Sequence, residues 1–334
     1  MNEGTDGENT SAADQEPDRS LEGLRCLVLG GGGFIGTNLS RELARRRASV
    51  TVFSRSLRFP SAFARGVVTR TGVMSDLDAL AAAVADQDII FHLVGGSVPG
   101  SVDAEFLAEV SDVVLPTLDL LKFARAAGTR KIIFLSSGGT VYGMPASFQI
   151  PETAPTHPIS AYGTNKIAIE KYVMRESHLH RTGFHIFRAA NVYGCYQRAG
   201  KRNQGLVAAT IERALRGQPI EIWGTGQAVR DFVHIDDVVS ALVQGIFYDG
   251  PHRIMNVGSG TGRGVNEVVA DIERVLGHGT LSKSYQPDRP AGVPSNVLDI
   301  ALITREMKWQ PRISWTDGLA DTIEWMKNAI RISD

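Results

Sequence analysis

Residues 26–36 read Cys26-Leu27-Val28-Leu29-Gly30-Gly31-Gly32-Gly33-Phe34-Ile35-Gly36. Four apolar residues ending in glycine describe a short strand buried on both faces, as in a parallel sheet. Over 38–47, Leu39 and Leu43 recur at helical spacing, so the glycines join a strand to a helix. Gly30, Gly33 and Gly36 stand at G-x-x-G-x-x-G spacing. One glycine permits the tight turn, a second lets a pyrophosphate approach the backbone, and a third lets helix and strand pack closely. The helix amino terminus then faces the phosphates with free N–H groups and the positive end of a dipole, with Phe34 and Ile35 as further cofactor-binding candidates. In this strand-before, helix-after setting the pattern predicts a dinucleotide site rather than a flexible loop.

Working outward, strands are expected over 50–53, 89–94, 131–135 and 184–188. Helices are expected over 76–84, 105–127 (interrupted by Pro116) and 161–178, the last capped by Ser160. This alternation at βαβ spacing predicts an α/β fold with a Rossmann-type, doubly wound parallel sheet. Beyond residue 195 the rhythm loosens. Helices are expected over 205–215, 236–248 (capped by an aspartate) and 265–276. A strand is expected over 220–222, a strand end at Asn256, and a proline-bearing loop over 287–294. The expected organisation is a tail (1–20), a dinucleotide-binding domain (21–194) to which later segments return, and a smaller interwoven α/β substrate lobe (195–334). Residues 1–20 carry six acids against the single base Arg19. Such a segment buries too little apolar surface to fold alone and reads as a solvated, disordered tail, with an acidic interaction tail as the alternative.

Composition excludes several functions. The 334 residues carry 35 Lys and Arg against 36 Asp and Glu, a net charge of −1. No global basic field favours nucleic acid or an anionic membrane. Cys26 and Cys195 are the only cysteines, too few for a disulfide scaffold or a cysteine metal site, so no metal is expected. No apolar run reaches a membrane span, and the acidic start does not read as a secretory signal. A cytoplasmic protein is expected.

The second strand ends in Ser54-Arg55, where a carboxylate would accept from both hydroxyls of an adenosine ribose. A hydroxyl and an arginine suit a 2′-phosphate, which leans toward NADP. The alternative is an Arg55 that is solvated or stacks on adenine. Tyr162 and Lys166 lie four apart at the start of a helix and share one face. A phenol is too weakly acidic to act as a base at neutral pH, and a nearby ammonium lowers its pKa. The pair therefore suits proton removal from a hydroxyl while hydride leaves for a nicotinamide, with Lys166 also reaching the nicotinamide ribose. Upstream, the segment over 134–143 is a strand ending in hydroxyls and glycines at the sheet's carboxyl edge. Ser137 and Thr140 are candidates to bridge the substrate oxygen and Tyr162, with Ser136 capping backbone.

Together, Gly30 to Gly36, Phe91-His92-Leu93, Ser136 to Gly143, Tyr162 to Lys166, Arg188 to Gly194, Trp223 to His234 and Asn256 to Gly260 resemble the extended short-chain dehydrogenase/reductases. The similarity is to the NAD-dependent nucleotide-sugar epimerase/dehydratase family, and within it to UDP-glucose 4-epimerase-like members, over residues 24–330. The resemblance implies an isomerase that retains NAD. It would remove hydride from C4 of a UDP-hexose or UDP-uronic acid, turn the 4-keto sugar over, and return the hydride to its other face. It adds Leu93 to the cofactor site. It implies that Asn191, Arg230 and Arg289 meet the substrate diphosphate, as guanidinium forks suit phosphate. His234 and Asp236 read as residues that stabilise and cap a helix, and Trp223 as core or a wall shared with the nucleotide site. A homodimer is implied through helices 105–127 and 161–178, where Phe106, Val110, Val113 and Val114 recur near helical spacing; core packing explains them equally well.

Several positions depart from the family pattern: Leu29, Val73, Val113, Gly292, and above all Gly138, which occupies the usual catalytic serine or threonine slot. No Asp-Glu pair occurs over 136–142, which argues against a 4,6-dehydratase. An NADP-dependent 4-keto-sugar reductase and a non-catalytic dinucleotide-binding regulator are the alternatives, the second opposed by the intact Tyr162 and Lys166.

Overall fold

The computed structural model describes residues 19–95, 107–180, 182–198, 205–277, 281–287 and 293–331. Its first half comprises β1 (Arg25–Leu29), α1 (Phe34–Arg45), β2 (Ser49–Ser54), β3 (Val68–Thr71), α2 (Leu77–Val84), β4 (Ile89–His92), α3 (Leu115–Ala126), β5 (Lys131–Ser137), β6 (Gln149–Ile150), α4 (Ala161–His180) and β7 (Gly183–Ala189). The second half adds β8 (Asn191–Tyr193), α5 (Leu206–Leu215), β9 (Ile220–Trp223), β10 (Val229–His234), α6 (Ile235–Phe247), β11 (Ile254–Val257), β12 (Gly262–Gly264), α7 (Val265–Leu276), β13 (Lys283–Gln286), β14 (Ser295–Leu298), α8 (Ala301–Met307) and α9 (Trp315–Arg331).

Seven strands form one sheet in the order β11-β7-β5-β4-β1-β2-β3, with every neighbouring pair parallel. The chain runs outward from β1 in both directions, so the winding reverses between β1 and β4. The carboxyl ends of these two strands border the crevice where such sheets bind ligands. Along β1 the side chains alternate between two apolar layers: Cys26 and Val28 enter one, Leu27 and Leu29 the other, and all four are fully buried. Leu39 and Leu43 of α1 join Val238 and Leu242 of α6 in the first layer. Leu80 of α2, Leu120 of α3 and Val173 of α4 join the second.

A smaller sheet is centred on β10, which pairs β8 and β14 in parallel and β12 antiparallel, while β14 also pairs β6. It draws strands from both sides of residue 195, and β11 returns to the large sheet. A further parallel pair joins β9 to β13.

Several local expectations change. The first helix begins at Phe34 rather than 38, so the glycine loop abuts it directly. The expected 105–127 helix leaves α geometry in a π turn over Val110–Val114, directly before Pro116, which lies in the first turn of α3. The cap of α6 is His234, whose Nδ1 accepts from the Asp236 N–H at 3.3 Å, rather than an aspartate. Asp236 and Asp237 occupy its first turn, where carboxylates meet the positive dipole end. Ser160 caps α4 as expected, its Oγ accepting from the Gly163 N–H at 3.2 Å. The tail over 1–18 and residues 288–292 of the proline loop, with Arg289 and Gly292, lie outside the described residues.

Candidate active site

The glycine loop needs its glycines for different reasons. Gly30 adopts φ +79°, and a Cβ there would sit 3.3 Å from the Leu93 and Val94 backbone. A Cβ on Gly36 would lie 2.4 Å from the Gly30 carbonyl oxygen, so only glycine lets α1 start this close to β1. At Gly32 a Cβ would fall 2.1 Å from the Ser56 carbonyl oxygen and 2.9 Å from Ser54 Oγ. Gly33 caps α1 without any side-chain hydrogen bond, leaving the N–H groups of Phe34, Ile35 and Gly36 to an anion. Ser54 thus packs on the loop at the tip of β2. Arg55 is exposed, and no carboxylate among the described residues pairs with it. Val73, where the family pattern carries an acid, is 42% exposed just past β3. These residues fit a dinucleotide: a backbone-lined cradle at the winding reversal, with a hydroxyl and a cation at the neighbouring strand tip.

Tyr162 and Lys166 stand one turn apart on α4, as the spacing required. Lys166 is 4% exposed, and its Nζ donates to the Leu135 carbonyl at 2.9 Å and the Val94 carbonyl at 3.3 Å. It also lies 4.7 Å from the Phe134 ring centroid and 5.6 Å from that of Tyr162. A Cβ on Gly95 would lie 3.4 Å from the Tyr162 ring and 3.8 Å from its hydroxyl. The segment after β4 therefore touches the glycine loop at Leu93 and the Tyr-Lys pair at Val94 and Gly95. Burial pulls the Lys166 ammonium down to about 8, opposed by the negative charges of Glu109 and Glu170. Burial raises the Tyr162 phenol well above its ordinary value, and the Glu109 charge adds to this.

The two hydroxyl candidates are not equivalent. Ser137 ends β5 half-buried. The Thr140 hydroxyl oxygen is buried without a hydrogen-bond partner among the described residues. A serine or threonine at Gly138 would require the Leu298 side chain to shift. A Cβ would sit 2.6 Å from Leu298 Cδ1 and 3.1 Å from the Arg188 carbonyl oxygen. Gly163, beside Tyr162, brings α4 against this turn, since a Cβ would lie 2.8 Å from the Thr140 carbonyl oxygen.

In the smaller sheet, Asn191 donates to the Asp231 carbonyl at 3.0 Å, and the β8–β10 register sets Asn191 opposite Phe232. Arg230 pairs with Asn296 on β14, is half-buried, and donates to the Val229 carbonyl at 2.7 Å. Burial lowers its pKa, and no carboxylate among the described residues forms an ion pair with it. A partly desolvated guanidinium without a counter-ion is a receptor for phosphate. Trp223 is 43% exposed and so is not core. His234 is buried edge-on against Tyr193, as a structural residue would be.

Two residues escaped the sequence reading. Glu109 is 4% exposed and lies on a segment that packs against α4, near enough for its charge to act on Tyr162 and Lys166. Nothing in its spacing distinguishes it from a surface acid. Asp231 is fully buried, and its carboxylate accepts from the Ser259 N–H and hydroxyl at 2.8 and 2.7 Å and from Gly260 and Leu298 N–H. It ties the Asn256 to Gly260 motif to β10. An acid alternating with apolar residues in a strand was its available signal.

Residues 26–258 match the model of the NAD dependent epimerase/dehydratase family, and the chain belongs to that family. It is 33% identical over 319 residues to the UDP-glucose 4-epimerase of Mycolicibacterium smegmatis, covering 91% of this chain and 99% of the relative. Among solved structures it resembles the UDP-glucose 4-epimerase of Thermotoga maritima determined with UDP-glucose. There the TM-score is 0.87 at 29% identity, over 92% of this chain and 100% of the other. It also resembles the Thermus thermophilus UDP-glucose 4-epimerase in complex with NAD, with TM-score 0.85 at 27% identity, over the same shares.

Proposed function

We propose that this protein is an NAD-dependent 4-epimerase of a UDP-linked sugar, a hexose or its uronic acid. One observation carries the reading: the Leu93-Val94-Gly95 segment touches the dinucleotide loop on one side and Tyr162 and Lys166 on the other. A hydride acceptor and a proton acceptor are thereby brought to one carbon of one substrate. Gly30, Gly33, Phe34, Ile35 and Gly36 hold the pyrophosphate through backbone, with Ser54, Arg55 and Leu93 lining the same groove. NAD, when bound, supplies the hydride acceptor and a positively charged ring. Tyr162 takes the proton from the sugar 4-hydroxyl and returns it after the 4-keto sugar turns over. Lys166 holds a positive charge beside the phenol and stabilises the phenolate. Ser137 bridges the sugar oxygen to Tyr162, because its hydroxyl is the more open of the two candidates. Arg230, with Asn191, takes the diphosphate, and Arg289 is proposed to assist on resemblance alone. That grip leaves the sugar end free to turn while the nucleotide end stays fixed.

The relatives in complex with NAD and the family match support NAD as the cofactor. Mass identification of the nucleotide released by denaturing freshly purified protein tests this, together with interconversion of UDP-glucose and UDP-galactose, and of the uronic acids, by the same preparation. Tightly held NAD with turnover fits. An empty protein stabilised by NADPH, with Arg55 as the phosphate ligand, overturns the reading in favour of a reductase.

A homodimer is proposed through α3 and α4. Of the residues the sequence suggested, Val113 and Val114 are buried in the core and Val110 packs against it, as the core alternative has it, and Phe106 lies outside the described residues. The outward apolar side chains are Leu107, Leu115, Tyr172 and Leu179, between 42% and 71% exposed on two helical segments locked together by the Arg125–Glu176 ion pair. Light scattering on the wild type and on Leu115→Glu tests it, a dimer that becomes monomeric being expected. No helix among the described residues is long and apolar enough to cross a membrane. The unpaired Cys26 and Cys195 support a reducing, cytoplasmic setting.

A further inference from the structure

Ser137 ends β5, Thr140 lies in the turn that follows, and one buried ion pair holds the residues on either side of them, Ser136 and Tyr142. At the near end, Ser136 Oγ donates to Glu170 Oε1. Glu170 accepts two further bonds from Arg188, Nε to Oε1 at 3.1 Å and Nη2 to Oε2 at 2.7 Å. At the far end, Arg188 Nη1 donates to the Tyr142 hydroxyl at 3.1 Å, and that hydroxyl donates to Asn256 Oδ1 at 2.7 Å. Every side chain in this chain of bonds is buried: Ser136 is 3% exposed, Glu170 1%, Arg188 4% and Tyr142 2%.

Glu170 also continues the functional face of α4. Tyr162, Lys166 and Glu170 follow at intervals of four, so they stack along one side of the helix. Each of the last two grips a successive residue of β5: Lys166 takes the Leu135 carbonyl, and Glu170 takes the Ser136 hydroxyl. Ser137 comes next. A buried ion pair is a poor source of net stability, because desolvation offsets its Coulomb gain. Four bonds converging on one carboxylate and one guanidinium do fix geometry.

We propose that Glu170 and Arg188 are positioning residues for the reaction, holding the 137–141 loop at both ends so that Ser137 stays in register with Tyr162 and Lys166. The proposal rests on the epimerase reading for its kinetic consequence, though not for its structural one. Misplacing a reacting group by about 1 Å costs on the order of a hundredfold in rate, while affinity elsewhere is untouched.

The test uses Tyr142→Phe, which removes only the far-end bonds, and Ser136→Ala, which removes only the near-end one. Both leave the ion pair and its packing in place. In the full-length enzyme with NAD, kcat for the UDP sugar is expected to fall about tenfold or more in each, with KM within about twofold. Independently of activity, hydrogen–deuterium exchange at the 138–141 amides is expected to quicken while exchange along α4 stays unchanged. A fall in thermal stability with kcat and loop exchange unaltered overturns the proposal and leaves the pair a structural buttress. Arg188→Lys, which keeps charge but loses the fork, is expected to restore neither kcat nor loop protection; full activity in it also overturns the proposal. If the wild type binds NAD but turns over no nucleotide sugar, the epimerase reading fails, and the exchange measurement still decides whether the loop is held.

Discussion

Lys166 Nζ donates to the carbonyl oxygen of Leu135 at 2.9 Å, so α4 grips the strand that delivers Ser137. The ammonium is buried beside the Phe134 ring and depends on Glu109 and Glu170 to stay charged. Burial pulls its pKa to about 8. The cation is present below that pH and lost above it, and phenolate stabilisation is lost with it. Activity is expected to fall on the alkaline side with a midpoint no higher than about 8, because the nicotinamide's positive charge pushes the same way. A kcat profile from neutral to alkaline pH checks this. Glu109→Gln removes one opposing charge, so its alkaline limb is expected at lower pH than the wild type's.

Ser137 and Thr140 separate cleanly by substitution. Ser137→Ala is expected to lower kcat about a hundredfold while NAD stays bound. Thr140→Val exchanges a buried hydroxyl without a partner for a methyl group of the same shape. Its activity is expected to persist, with a gain in stability of about 1 kcal/mol. Steady-state kinetics and denaturant unfolding of the two variants check the pair, and a dead Thr140→Val would reverse the assignment.

Arg230 has no carboxylate partner among the described residues, so removing it frees no buried acid. Arg230→Ala is expected to raise KM for the UDP sugar roughly tenfold to a hundredfold, the worth of a charge-assisted bond to phosphate. NAD content is expected to be unchanged. Calorimetry with UDP alone reads the same loss without turnover.

At Gly32 a single methyl group would fall 2.1 Å from the Ser56 carbonyl oxygen, which is backbone and cannot swing aside. Gly32→Ala is therefore expected to displace the 54–58 segment and abolish NAD retention, while the seven-stranded sheet persists. Cofactor content and far-ultraviolet circular dichroism measure the two effects.

Acid stability follows from His185. Burial lowers it to about 4, although its Nε2 hydrogen bond to the Tyr248 carbonyl at 2.7 Å works the other way. The unfolded chain takes up this proton near pH 6.5 and the folded chain only near 4, so stability falls as pH drops through that window. The loss is about 3 kcal/mol for this one group. His185→Gln is expected to flatten the decline in melting temperature between pH 6.5 and 4, compared with the wild type.

Residues that act locally were legible in the chain. The strand-glycine-helix run, the Tyr162–Lys166 interval and the Ser160 cap depend on contacts a few residues apart, and backbone periodicity fixes those without further help. Strand alternation likewise announced the doubly wound sheet. Boundaries set by tertiary context were missed: β3 reads Val-Thr-Arg-Thr, all four exposed, and forms because β2 offers it an open edge. β10 and α9 went unread because their apolar residues, Phe232, Leu319, Ile323 and Met326 among them, pack into a cluster drawn from distant segments.

The sequence by itself determined the α/β class, the dinucleotide loop, and the Tyr-Lys pair with its family. Only the tertiary structure decided that Ser137 is open while Thr140 is sealed, that Leu298 packs into the space a side chain at Gly138 would take, and that Arg230 lies without an acid among the described residues. It alone joined Ser136, Glu170, Arg188 and Tyr142 into one clamp. Each of these depends on groups tens to more than a hundred residues apart meeting in a low-dielectric interior. Burial, exclusion and charge pairing are set there by which strands become neighbours, and spacing along the chain does not encode that.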